Sequence, residues 1–239
     1  MSPDQTNKAR KPGRRTALAL IALAGSALAV RSLGARAQNR PQCVARPEQT
    51  EGPYFVDTQL ARSDIRADPA TSQVEPGVPL EVTFRVSRLA GACQPLSGAH
   101  VELWQCNASG TYSGVRDPHV DTTGRKFLRG YQATDANGTA RFTTIYPGWY
   151  PGRTVHIHFM IRTAGSRGRG EQFTSQLYFD DALSDRIFAR APYAERGPRT
   201  VRNAGDGIYR RGGSQLMLAP TEQDGGLAAT FDIALKASR

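Results

Sequence analysis

The chain has 239 residues, enough for one large domain or two small ones, and carries 31 Lys/Arg against 21 Asp/Glu, a formal net charge of +10. Residues 1–37 hold 7 of the basic residues and 1 of the acidic ones, which leaves 24 against 20, or +4, for the remainder. A surface this close to balance, with no dense basic run, excludes binding to a phosphate backbone as the main role, so no nucleic-acid partner is expected.

The N-terminal stretch places Lys8, Arg10, Lys11, Arg14 and Arg15 ahead of an apolar run from Ala17 to Val30, followed by Ala35, Arg36 and Ala37. That order describes a secretory leader cut after Ala37, with an uncleaved N-terminal anchor as the alternative reading, although the run is short and alanine-rich for a membrane span. Arg14-Arg15 fits a twin-arginine signal. The expected localisation is exported, periplasmic or secreted, with no stable membrane insertion after cleavage. Cys43, Cys93 and Cys106 then sit in an oxidising compartment as one disulfide and one thiol. Cys93–Cys106 is the expected pair, because these two flank a loop-to-strand segment.

Residues 38–79, rich in Pro, Gln and Asp, read as an extended arm, and residues 80–239 as a single β domain. Leu80 to Ser87 alternates apolar and polar side chains at period two, as a half-buried strand does, and His100 to Cys106 repeats the pattern. Further strands are expected at Gly130–Thr134, Ala140–Ile145, Val155–Ile161, Thr174–Phe179 and Ala228–Leu235. Asn137-Gly138 accepts positive φ and predicts a tight hairpin between two of them. A helix is expected only from Ser184 to Arg190, capped by Ser184, with a second short turn after Pro192. Many short strands separated by turns predict an all-β fold, an antiparallel β-sandwich with short helices in its loops.

His156-Ile157-His158 lies inside one of these strands, so both imidazoles project from one face and Ile157 and Phe159 from the other. A bare His-x-His is common on the wet face of an edge strand, and only its neighbours change that reading. Upstream, the Pro- and Gly-dense loop from Ile145 to Arg153 spends Tyr146, Trp149, Tyr150 and Arg153, and such loops on a rigid sheet are where function concentrates. Tyr146 and Trp149 read as caps on the end of the sandwich; Tyr150 does not. The third element, Glu102 to Ser113, is a strand ending in a turn that places Tyr112 just beyond it. Trp104, in strand alternation, reads as core. His100 and His119 read as solvated or structural, and Asp180 and Asp181 as a turn or helix start.

Taken in order, these segments resemble the intradiol ring-cleavage dioxygenases, the catechol and protocatechuate ring-opening enzymes. A Leu-Trp strand ending in Gly-x-Tyr, a Pro-Gly-x-Tyr loop and Arg-x-x-His-x-His all recur here, as do Thr50 to Tyr54 and Thr174 to Phe179. The resemblance implies one non-haem ferric ion, Fe(3+), held by Tyr112, Tyr150, His156 and His158, with Arg153 beside it and Gln176 supporting the site. It further implies an aromatic diol of the catechol type and O2 as substrates, and a cis,cis-muconate-type diacid as product. Tyr150, on the flexible loop, takes the displaceable role and becomes a base for the catechol proton, while Tyr112 stays bound. Arg153 would stabilise negative charge building on the substrate ring. The long helical N-terminal region of the cytoplasmic catechol enzymes has no counterpart, so the chain looks more like the shorter exported members.

The donor types agree with the implied metal. Phenolate is a hard anionic oxygen donor that favours a trivalent ion, whereas two tyrosines would be unusual zinc ligands. Two rival readings remain: a non-catalytic secreted β-sandwich module that binds carbohydrate or protein through an aromatic platform, and a hydrolytic zinc protein. Neither the ring substituents nor the oligomeric state is legible, and a homo-oligomer is compatible with the sequence. The Arg-rich stretch from Ser166 to Gly170 suits carboxylated or halogenated catechols, and equally a solvated surface.

Overall fold

The computed structural model describes residues 43–89, 93–117, 120–164 and 170–236, all within one compact unit, Asn39–Arg239. The expected leader, His119 and residues 166–169 lie outside the described residues. In chain order the strands are β1 (Pro79–Leu89), β2 (Gln94–Pro95), β3 (His100–Trp104), β4 (Arg116–Asp117), β5 (Val120–Asp121) and β6 (Arg129–Ala133). They continue with β7 (Thr139–Ile145), β8 (His156–Arg162), β9 (Gln172–Tyr178), the helix α1 (Asp181–Phe188), β10 (Thr221–Gln223) and β11 (Gly226–Lys236).

Two sheets carry the fold. One has the order β10-β11-β1, with β2 and β7 both pairing β1 at different points; the other has the order β6-β3-β8-β9. The all-β sandwich expected from the alternation is present, and β1 pairs with β11 in parallel, an exception to the otherwise antiparallel pattern. Between the sheets, the buried Phe84 of β1 meets Phe159 of β8 at 5.3 Å between ring centroids, and Phe159 meets Phe231 of β11 at 5.6 Å. Tilted and edge-on aromatic packing of this kind adds to area burial, and truncating one such ring to Ala costs about 3–5 kcal/mol.

Residues 43–78 form no helix or strand but run along the exposed rims of the sheets. Leu60 and Arg62 bond to Tyr131 of β6, Ser63 and Ile65 to Thr143 of β7, and Gln49 to Thr174 of β9. Open strand edges are thereby paired within the chain, which removes a template for aggregation. The same covering brings Thr50 to Tyr54 across the end of β8 and β9, where the candidate site lies.

Three local expectations are corrected. Asn137-Gly138 does not close a hairpin: β6 and β7 belong to different sheets, and the turn, with Gly138 at φ +71°, carries the chain between them. An added Cβ there would lie 2.2 Å from the Val86 carbonyl oxygen. The helix begins earlier than Ser184, because Asp180 caps it by accepting from the Leu183 N–H, and Ser184 sits inside with its hydroxyl 2.7 Å from that of Tyr146. The disulfide is Cys43–Cys93, and Cys106 is a buried free thiol. Cys93 precedes β2 in one sheet, whereas Cys106 follows β3 in the other and donates to the Gly148 carbonyl, so the core separates them. Burial pushes the Cys106 thiol up to about 12, which leaves it protonated.

Candidate metal centre

Strand alternation builds the first half of the site. On β8, Ile157 and Phe159 enter the inter-sheet core while His156 and His158 turn to the opposite face, and all four are buried. Their Nε2 atoms lie 3.1 Å apart. The Thr154 carbonyl accepts from His156 Nδ1 at 2.6 Å, and because a carbonyl only accepts, Nδ1 carries the hydrogen and the Nε2 lone pair faces the cluster. Burial lowers His156 to about 3 and His158 well below the ordinary imidazole range, with Arg153 adding to both and His156 adding to His158. Both rings are therefore neutral near neutral pH, the form in which imidazole donates to a metal.

The loop between β7 and β8 brings Tyr150 to this face, with its hydroxyl 3.1 Å from His156 Nε2. Arg153 Nη1 approaches the same nitrogen at 3.3 Å. Tyr112, carried past the end of β3, packs edge-on against Tyr150 at 5.7 Å between ring centroids. Its hydroxyl is buried and has no hydrogen-bond partner of acceptable geometry. Burial is the main reason that both phenols are raised above their ordinary range.

These distances fit a metal ion. Ligand bonds of about 2.0–2.1 Å put neighbouring donors about 3 Å apart in a metal's coordination sphere. Three groups converge at that spacing on one His156 lone pair, which can accept only one good hydrogen bond, while a buried phenol beside them has no hydrogen-bond partner. Among the described residues no cluster of three or more His, Cys, Asp or Glu is placed to hold a metal, so tyrosines must complete any donor set here.

Residues around the cluster hold it in place. Asp206 Oδ2 accepts from Arg153 Nε and from the Thr154 N–H, both at 2.8 Å. Its Oδ1 accepts from Ile208 N and Tyr209 N; against the cost of burial, the Thr154 and Tyr209 N–H groups and Arg153 keep the carboxyl below its ordinary range. Burial alone would lower the Arg153 guanidinium, but Tyr150 and Asp206 hold it above its usual value. Gln176 is engaged on every side: Oε1 accepts from Arg153 Nη2 and from the Tyr178 hydroxyl, and Nε2 donates to the Thr50 carbonyl.

Several residues of this surround were not singled out by sequence reasoning. Trp104 is buried as expected, but it belongs to the site: its indole stacks on His158 at 5.1 Å and 6°. Tyr54 stacks on Tyr112 at 4.7 Å and donates to Asp117 at 3.1 Å. Gly52, at φ +72°, passes so close that an added Cβ would stand 3.2 Å from His158 Cε1. Arg129 is 1% exposed, bonds to the Ser113 and Tyr54 carbonyls, and lies 5.9 Å from the Tyr112 ring centroid. Burial lowers it to about 10, opposed by Tyr112 and Glu102, so it stays charged near neutral pH. The signal for Gly52 and Tyr54 was the Thr50-to-Tyr54 segment; Asp206 and Arg129 carry no local motif.

An all-β sandwich that presents two phenols, two neutral imidazoles and a tethered arginine in one buried cluster defines a class that can be compared with known proteins. The family model described as Dioxygenase matches residues 50–236. The protocatechuate 3,4-dioxygenase beta chain of Burkholderia cepacia is 33% identical over 168 residues, 67% of this chain and 65% of that one. Catechol 1,2-dioxygenase 1 of Acinetobacter lwoffii is 29% identical over 164 residues, 56% of this chain and 49% of that one. The chain thus spans about half to two thirds of the length of these relatives. An intradiol ring-cleavage dioxygenase from Tetranychus urticae superposes with a TM-score of 0.71 at 34% identity, covering 81% of this chain and 95% of that one. The dioxygenase domain of a carbohydrate-binding fusion from Streptomyces sp. SirexAA-E gives 0.57 at 31%, covering 82% and 100%. The chain belongs to the intradiol ring-cleavage dioxygenase family, whose members are oxidoreductases.

Proposed function

We propose that this chain is an exported ferric dioxygenase that opens a catechol-type ring with O2 to a muconate-type diacid, with Tyr112, Tyr150, His156 and His158 as the iron ligands. The observation that carries the reading is that Tyr150 Oη and His158 Nε2 each lie 3.1 Å from His156 Nε2, beside the buried Tyr112 hydroxyl that has no hydrogen-bond partner of acceptable geometry. Two phenolates and two neutral imidazoles make a hard, dianionic donor set that suits a trivalent ion. A ferric ion bound there would draw electron density from a chelated catecholate and open its ring carbons to dioxygen.

The chain's own residues supply proton and charge control. Tyr150 sits on the loop between β7 and β8, and burial raises its affinity for a proton, so its oxygen, when not holding the metal, would be a competent base for the substrate hydroxyl. Arg153, fixed by Asp206 and Gln176, keeps a cation beside His156 without rearrangement and favours negative charge on the substrate. Trp104, Tyr54 and Gly52 wall the cluster and restrict water. Export is supported by the Cys43–Cys93 disulfide, which persists in oxidising compartments.

The test loads the purified protein with ferric ion and follows O2 uptake and product absorbance over a panel of catechols. Stoichiometric iron, a visible phenolate-to-iron band and ring opening are expected, all lost in His156→Ala. A wild-type protein that binds zinc instead, or binds no metal while retaining a ligand-binding function, would overturn the reading.

A further inference from the structure

Arg129 raises a question the proposed chemistry leaves unanswered. It is a fully buried cation whose hydrogen bonds all go to neutral acceptors: Ser113 O and Oγ from Nε, and Ser113 O and Tyr54 O from Nη2. Its Nη1 has no partner. The nearby buried carboxylate of Glu102 is taken by Arg162 at 2.9 Å. A buried charge without a counter-ion is costly, and such a cost is retained where it serves a purpose. The group beside Arg129 that can become an anion is Tyr112, whose hydroxyl has no hydrogen-bond partner and whose ring centroid lies 5.9 Å from the guanidinium carbon.

We propose that Arg129 is the counter-cation and positioning residue of Tyr112, which keeps this phenolate as the permanent iron ligand while Tyr150 is the one released. The inference rests on the reading of Tyr112 as a ligand and goes beyond it by giving the two tyrosines different roles through a named residue. Its geometry is two-sided. One arm of the guanidinium pins Ser113, the residue after Tyr112, whose hydroxyl is further tied to the Phe127 carbonyl at 2.6 Å. The other pins the Tyr54 backbone, whose ring lies flat on Tyr112. Tyr112 is thus held by charge, by its neighbour in sequence and by a stacked ring. Tyr150 shares the charge of Arg153 but has neither a guanidinium bonded to the next residue nor a stacked ring: its hydroxyl meets His156, and its side chain is half-buried where Tyr112 is buried.

The experiment compares ferric-loaded wild type, Arg129→Lys and Arg129→Gln by visible spectrum and by iron release to a chelator, with unfolding of each metal-free form as a control. A nearby cation lowers the energy of the phenolate electrons, so its removal moves the charge-transfer band to longer wavelength. Arg129→Gln is expected to show that red shift and about 10–100-fold weaker iron binding, the usual effect of losing a residue behind a ligand. Arg129→Lys, which keeps the charge, is expected to keep the wild-type band. A folded Gln variant with unmoved band and unchanged iron release would overturn the proposal. If the Gln variant does not fold, the Lys protein decides: a wild-type band supports the role of the charge, and a displaced band overturns it. A wild-type protein with iron but no visible band would instead sink the ligand assignment itself.

Discussion

Replacing Asp206 with Asn tests whether the candidate site is held from behind as described. The carboxylate is 1% exposed and accepts four bonds, from Arg153 Nε, Thr154 N, Ile208 N and Tyr209 N. Asn keeps the shape but removes the charge and turns an amide NH2 toward two of those donors. Removing one partner of a buried ion pair costs about 3–5 kcal/mol, and the 14% exposure of the Arg153 side chain together with its remaining Gln176 bond places this case near about 3 kcal/mol. For a chain of this length that lowers the melting temperature by roughly 6–12 °C. Because the Thr154 carbonyl orients His156 through Nδ1, iron binding should also weaken by about 10–100-fold. Urea titrations of the metal-free protein, paired with iron release to a chelator, read both quantities. A variant within about 0.5 kcal/mol of wild type and with unchanged iron release would refute the claim that Asp206 supports the site.

Metal-free protein should lose stability in mild acid. His156 is held at about 3 and His158 also far below the unfolded value near 6.5, so below about pH 6.5 the unfolded chain binds more protons and stability falls. The slope should approach ~1.4 kcal/mol per pH unit for each histidine, and a flat urea midpoint between about pH 7 and pH 5 would contradict it. Gly52→Ala places a Cβ 3.2 Å from His158 Cε1 at a φ of +72°, so iron binding should weaken more than metal-free stability does; equal losses would make Gly52 a purely conformational residue. Cys43→Ser opens a closure of sequence separation 50, worth about 4 kcal/mol by loop entropy, read as a lower urea midpoint with turnover unchanged near neutral pH. Tyr150→Phe should retain iron and a weakened visible band while turnover falls by about 10²-fold or more, and unimpaired turnover would remove its role as the proton acceptor.

Residues whose role follows from spacing within one element were legible from the chain alone. The two imidazoles on β8 are the clearest instance, since a period of two fixes which face they share. Phe84, Phe159 and Phe231 follow the same rule into the core. What could not be read depends on contacts between distant segments. Asp206 meets Arg153 across 53 residues and Arg129 meets Tyr54 across 75, and neither pairing leaves a local pattern. Trp104 alternates as a core residue does, yet the face it shares with His158 is the site itself. The Asn137-Gly138 turn signalled a reversal, but which sheet received the returning strand depended on the pairing of β1 with β7. The Cys43–Cys93 link was hidden for the same reason: the arm must first lie along the sheet before its cysteine has a partner.

The proposed function requires that one ferric ion be bound by Tyr112, Tyr150, His156 and His158. Anomalous diffraction at the iron absorption edge, from crystals of the protein loaded with ferric ion, addresses that claim without reference to turnover. A single strong peak about 2 Å from each of the two histidine Nε2 atoms and the two tyrosine oxygens is the expected result. An iron peak elsewhere in the protein, with these four side chains unliganded, would contradict it.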